Sequence, residues 1–374
     1  MRDFKYFFKT APTVFLTGEY YQIMVPVEKS SLMYISVGNE KYYDESNGIL
    51  RSDVPIHRVN IPKYELDALG KYEIVVREMI ERKPYFSNVD EEYSFEFQFY
   101  TAKSESIILY HIADSHNHIL EAIAACKQYE SLNGRINLLI INGDITDYTH
   151  KIEDYNNIYQ LTGEITKGQI PVIFSRGNHD TRGIMAEKME NYTPTYKGRS
   201  YYSFRFGDLW GLVLDCGEDK DDLHEEYANT ICCHEFRKRQ TRYIEQVIKN
   251  SKTEYEAPGV KKRIVISHIP FMKKRTYPFN IEEDLYEEWS NYLKEYIQPN
   301  LAICGHEHEL SFEIPDDKNK YPCPVVVGTK PITSSENEQE IIYIGTGISF
   351  IENKISITCN DNQSNVVLYR ELMI

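Results

Sequence analysis

The sequence predicts an α/β protein in two parts: an N-terminal β-sandwich over residues 1–102, then a layered α/β domain over residues 103–374. Three observations carry this. Residues from Tyr20 to Tyr100 alternate in period two, the pattern changes near Ala102-Lys103-Ser104-Glu105 to strand candidates alternating with helix candidates, and five apolar runs end in clusters of Asp, Asn, His and Gly.

In the first part, Tyr21, Ile23 and Val25 alternate with Gln22 and Met24, and Tyr93, Phe95, Phe97 and Phe99 alternate with Ser94, Glu96 and Gln98. Turn signals at Gly18-Glu19, Gly38-Asn39, Asn47-Gly48 and Leu69-Gly70 separate the runs. Roughly six or seven short strands in about 100 residues fit a sandwich. Leu66-Asp67-Ala68-Leu69-Gly70-Lys71-Tyr72 resembles the leucine-rich turn and tyrosine corner of fibronectin type III domains, with a plain core tyrosine as the alternative for Tyr72.

In the second part, strands are expected at 106–113, 137–142, 171–176, 211–215, 263–267 and 301–304, separated by helices at 117–132, 154–167, 235–249 and 283–297. The chain then returns to strands at 324–328, 341–344, 348–351, 354–359 and 365–371, which are expected to complete a second sheet.

The composition is that of an ordinary globular protein, 41% hydrophobic and 26% charged, with tyrosine unusually frequent at 30 residues. A net charge of −15 with no basic block argues against nucleic acid as a partner, because a long polyanion would be repelled. Bound divalent metal could still make one pocket locally positive, so a small phosphate ester remains compatible. Seven cysteines without a CxxC pair read as free thiols. The N-terminal residues lack a signal-peptide apolar run and no stretch approaches the ~20 residues of a membrane span, so a cytoplasmic enzyme without membrane contact is expected.

The five clusters are Asp114-Ser115-His116, Gly143-Asp144-Ile145-Thr146-Asp147, Gly177-Asn178-His179-Asp180, His268 and Gly305-His306-Glu307-His308. Each follows an apolar β-rich run, so the donors are expected to gather at one ligand-binding sheet edge. Singly, each residue reads as a solvated loop or core residue; jointly, carboxylate, amide and imidazole donors match a two-metal hydrolase centre. Asp147 reads as a hydrogen-bond partner of a ligand, His111 as packing, and His118 and His150 as loop residues.

With these motifs in view, residues 104 to about 374 resemble the calcineurin-like metallophosphoesterase family, whose D-x-H, G-D-x-x-D, G-N-H-D, H and G-H-x-H signature is complete here. The resemblance implies a four-layer αββα catalytic domain. It further implies that Asp114, His116, Asp144 and His308 hold one divalent ion, and that Asp144 bridges to a second held by Asn178, His268 and His306. Mn, Fe, Zn, Ni and Co all suit this donor set. His179 would lie beside the substrate phosphoryl group, oriented by Asp180.

The layout is also similar to purple acid phosphatases, with a departure. Asp147 stands where their iron-binding tyrosine ends G-D-x-x-Y, and His116 supplies a donor that their pattern lacks. No tyrosinate-iron colour is therefore expected.

Such a site implies in-line attack on phosphorus in a mono- or diester by a hydroxide shared between two cations. Arg176 and Arg182 flank His179 and are candidates to hold a second anionic group, or else surface salt bridges. The run from Glu218 to Glu226 is either a lid or a solvated segment. The competing readings are a protein Ser/Thr phosphatase or nuclease of the same superfamily, and a scaffold without chemistry; the acidic balance opposes the nuclease and the intact donor set opposes the scaffold.

Overall fold

The computed structural model describes residues 2–102, 106–333 and 340–374. Two sheets form its centre. The first has nine strands in the spatial order Val366–Met373, Lys354–Asp361, Ile344–Ile351, Ser106–Ile112, Leu138–Asn142, Pro171–Ser175, Thr13–Thr17, Tyr20–Pro26 and Ile56–Pro62. The second has six, in the order Tyr202–Phe206, Leu209–Leu214, Lys262–Ser267, Leu301–Cys304, Val325–Val327 and Ser311–Glu313.

Period-two side-chain alternation decides what each face meets. Leu138 and Ile140 of the first sheet share one core with Ile264, Ile266, Leu301 and Ile303 of the second. Leu139 and Ile141 point the other way, onto the helices Ile119–Asn133 and Asn156–Thr166. Val265 and Ala302 likewise meet the helices Cys233–Lys249 and Glu283–Tyr292. The result is the expected helix, sheet, sheet, helix stack. Asn142, on the inward face, donates to the carbonyls of Ser267 at 3.3 Å and Ile303 at 3.2 Å and so ties the sheets together just behind the motif loops.

The strands that end in motifs do not share one sheet edge as expected. Three lie in the first sheet and two in the second, so the donors converge across the gap between two sheets. The C-terminal strands also divide. Val325–Val327 joins the second sheet, whereas the last three extend the first, antiparallel beside Ser106–Ile112. Their inward residues Ile348, Phe350, Ile355 and Ile357 fill the inter-sheet core, which draws them there.

The N-terminal region is β-rich and fits a fibronectin type III-like layout. Its second sheet, with the strands Tyr93–Gln98, Lys71–Glu81, Ser31–Val37 and Glu40–Tyr43 in that order, packs on the first through Ile35, Ile74 and Val76 against Ile23 and Val25. One strand was not legible in the alternation. Thr13–Thr17 pairs parallel with Pro171–Ser175, with Val14 opposite Pro171 and Phe15 opposite Val172, and makes the N-terminal strands a continuation of the catalytic sheet. It is buried on both faces and so does not alternate. Tyr72 is not a tyrosine corner: its hydroxyl donates at 2.9 Å to the carbonyl of Gly168, in the second part of the chain. The expected boundary at 102/103 adjoins residues 103–105, which lie outside the described residues.

This continuity gives a prediction. Deleting residues 1–102 strips one of the two strand partners from Pro171–Ser175, leaving it an open edge beside Leu138–Asn142, and opens the shared core, so the fragment is expected to aggregate rather than to keep turnover with altered specificity. Soluble, monodisperse fragment with wild-type kcat would contradict it. No helix among the described residues is long and apolar enough to cross a membrane.

Candidate metal centre

The motif loops are held at close range by backbone that few sequences tolerate. Asp114, His116, Asp144, His306 and His308 all sit at positive φ, between 44° and 72°. Each such non-glycine residue costs on the order of 1–3 kcal/mol, and clustering of this kind marks a functional site. Gly143 and Gly177 allow the contact of two loops: a Cβ on Gly143 would lie 2.5 Å from the Gly177 Cα, and one on Gly177 would collide with the Asp144 carboxylate. Asp180 completes the junction by accepting from the amides of Gly177 at 2.8 Å and Asp144 at 3.1 Å.

Three groups of potential ligand atoms gather here, the third of them His116, Asp147 and His179. In the first, His268 Nδ1 donates to the Asn142 carbonyl at 2.7 Å, which turns the Nε2 lone pair toward Asp144 Oδ2 at 3.1 Å and Asp114 Oδ1 at 3.8 Å. Neither His268 Nε2 nor Asp144 Oδ2 has a hydrogen-bond partner, and both are buried. His306 belongs to the same group, its Nδ1 2.8 Å from Asn178 Oδ1. In the second group, His116 Nδ1 donates to Asp147 at 2.7 Å, leaving Nε2 3.3 Å from His308 Nε2, which is 3.7 Å from Asp114 Oδ1. Lone pairs so arranged repel unless a proton or a metal cation lies among them. The donor set of carboxylate, amide oxygen and imidazole fits divalent metal.

The titration behaviour agrees. Burial lowers the pKa of His116, takes His308 down to about 4, and with Arg275 nearby puts His306 well below its ordinary value. All three are therefore neutral near pH 7 and offer lone pairs. Burial raises Asp114 to about 7 although His268 pulls it down, and burial raises Asp180 likewise to about 7. Burial opposes charge on His268, but Asp144 and Asp114 outweigh it and push it up to about 10.

The last shift predicts how metal removal is felt. In the metal-free protein the folded state retains a proton on His268 that the unfolded chain releases above about 6.5, so this stability is complete below 6.5 and is lost as pH rises toward 10. The Tm of metal-free protein is expected to fall between pH 7 and 10, by the equivalent of a few kcal/mol. A bound cation replaces that proton, so the loaded protein should show a flatter profile. Equal slopes with and without chelator in thermal-shift measurements would contradict this.

The structure brings together Asp114, His116, Asp144, Asn178, His179, His268, His306 and His308, and corrects three other expectations. Asp180 does not orient His179; it knits the loops, and the His179 ring instead donates from Nδ1 to the Asp147 carbonyl at 2.8 Å and accepts at Nε2 from Arg182 at 3.2 Å. Arg176 does not reach the site: the buried Asp215 carboxylate holds its Nε at 2.8 Å, and it lines a separate cavity with Tyr201 and Phe236. The run from Glu218 is not merely solvated at its start. Glu218 is buried and grips Arg182 through two bonds of 3.0 and 2.9 Å, and Asp219 lines the cleft 3.8 Å from His306. Tyr148 is exposed and its ring packs on His150. His111 is buried and accepts from Asn142, as packing requires.

A cleft of about 460 Å³ opens over Asp144, Asn178, His179, His306 and His308. Lys274, Arg275, Thr276 and Phe279 also line it, and the motif reading did not find them. The run Lys273-Lys274-Arg275 in an acidic chain, soon after His268, was the available signal. Arg275 is paired with Glu307.

Fold and site together define a metal-binding phosphoesterase. The calcineurin-like phosphoesterase family profile matches residues 108–310, more than half of the 374 residues, and the chain belongs to that family. No curated protein matches it. Among solved structures it is similar to a purple acid phosphatase from yellow lupin seeds, with a TM-score of 0.62 at 12% identity, covering 98% of this chain and 75% of that one. It also matches GAP50, the anchor in the inner membrane complex of Plasmodium, with a TM-score of 0.47 at 12% identity over 72% of this chain and 89% of that one. The lupin match shows a shared fold that includes the N-terminal region.

Proposed function

We propose that this protein hydrolyses a small phosphate mono- or diester in the cytoplasm at a centre of two divalent cations. Asp114, His116, Asp144 and His308 would hold one, and Asp144, Asn178, His268 and His306 the other. The carrying observation is the clustering of Asp114, His116 and His308 and of Asp144, His268 and His306 with their ligand atoms close together, buried Asp144 Oδ2 and His268 Nε2 among them without hydrogen-bond partners. Seven free cysteines, six of them buried, support a reducing location.

Bound there, divalent cations would acidify water and draw charge from phosphoryl oxygens. The chain's own residues supply position and charge. Asp147 fixes the His116 ring, Asn142 fixes the His268 ring, and both leave Nε2 free as a ligand atom. Glu218 holds the Arg182 guanidinium beside His179 at the rim of the donor groups, where it can meet the spreading charge of a phosphoryl group.

The test is metal content measured alongside hydrolysis of a chromogenic monoester and a chromogenic diester. Two ions per chain are expected, with turnover of at least one ester that chelation removes and metal restores. A chain that binds no divalent metal and hydrolyses neither ester would overturn the reading.

A further inference from the structure

Beside the metal cleft lies a second cavity of about 360 Å³, a size that holds a small organic molecule. The two share Asp219, Lys274, Arg275 and Phe279 as a common wall. Ile269, Phe271 and Met272, all buried, and Ile281 give the second cavity an apolar floor.

Its cations are the unusual part. Lys294, Lys318 and Lys320 line this cavity without reaching the metal cleft, and their side chains are exposed. Lys273 and Arg275 are engaged by Glu313 and Glu307, whereas these three form no ion pair among the described residues. Carboxylates are present too. Asp219 is held by the Tyr227 hydroxyl, and Glu283 and Glu287 lie along the helix Glu283–Tyr292, while Lys318 and Lys320 come from the facing loop and Lys294 from beyond the helix end. In a chain of net charge −15, three unpaired lysines bordering one cavity with an apolar floor and an otherwise polar wall run against the overall sign.

We infer that this cavity is a leaving-group subsite for a phosphate ester whose leaving group carries a flat apolar body and a second anionic group. The inference rests on the phosphoesterase reading. The body lies over Phe271, Met272 and Phe279, and the anion meets Lys294, Lys318 and Lys320. Hydrolysis breaks the bond from phosphorus to the leaving oxygen, joins water oxygen to phosphorus and leaves the proton on the departing alcohol. That alcohol, with its ring and its anion, remains in the subsite.

The probes are hydroxynaphthoate and naphthol, as leaving alcohols with and without the anion, and their phosphate esters. The variant carries Lys294→Gln, Lys318→Gln and Lys320→Gln. Wild type is expected to bind hydroxynaphthoate more tightly than naphthol, and the variant to lose roughly tenfold of that preference. The ratio of kcat/KM for the two esters should fall by a similar factor. Wild type indifferent to the carboxylate, or a variant with the wild-type preference, overturns the subsite. If binding behaves as expected but metal-loaded protein hydrolyses neither these esters nor the chromogenic monoester and diester, the phosphoesterase reading fails and the ring-and-anion cavity stands. Hydrolysis with an unchanged ratio sinks the cavity and keeps the phosphoesterase.

Discussion

Asp144→Asn is expected to give a folded protein that has lost its metal and on the order of a thousandfold of its turnover, about 4 kcal/mol of barrier. The substitution keeps the shape of the side chain and removes the charge that both donor groups approach. Asp144 Oδ1 already accepts from the His179 amide at 2.9 Å, so the carboxamide oxygen takes that place and its nitrogen faces His268 Nε2. A donor then points at the lone pair where two acceptors stood. The variant should therefore fold without metal, with a Tm near that of the metal-free wild type at about pH 10, where His268 has lost its proton in both. It should also lose the decline in Tm between pH 7 and 10, because Asp144 is the main charge holding the proton on His268. Metal analysis, turnover and the thermal profile are three separate readings of one cause. Wild-type metal content with wild-type turnover would remove Asp144 from the centre.

His179→Ala should behave differently: metal retained, with turnover reduced by roughly a hundredfold or more. The ring adds one bond between the loops, from Nδ1 to the Asp147 carbonyl, but the backbone amide, which alanine keeps, still bonds Asp144, and Asp180 still bonds the amides of Gly177 and Asp144. What is lost is the imidazole between Asp147 and Arg182. Its hydrogen bonds assign the proton to Nδ1 and leave Nε2 as an acceptor for the Arg182 guanidinium, so the ring offers no acidic N–H of its own. The loss should accordingly be similar for aryl phosphates with good and poor leaving groups. A loss that grows steeply as the leaving group worsens would make His179 a proton donor instead, and loss of metal would make it structural.

The difference between these residues shows where sequence reasoning has force. Every expected metal donor could be named because a cation demands particular atoms, and Asp114, Asp144, Asn178 and the four histidines stand in loops that directly follow apolar strands. Arg176 and Arg182 looked alike beside His179, yet one is drawn off by the buried Asp215 and the other is fastened by Glu218, both distant in sequence. Asp180 looked like a partner for its neighbour's ring, and the chain turns so that it serves the amides of Gly177 and Asp144.

The alternation of apolar and polar residues, and the donors after each run, determined by themselves that strands, helices and a metal centre would be present, because those features follow from local periodicity and ligand chemistry. Only the tertiary structure decided that the donors meet across two sheets, that Thr13–Thr17 fuses the N-terminal strands to the catalytic sheet, and that lysines from separate elements border a cavity beside the cleft. Those outcomes depend on which distant segments compete for the same core face or the same charge, and no window of sequence contains both competitors.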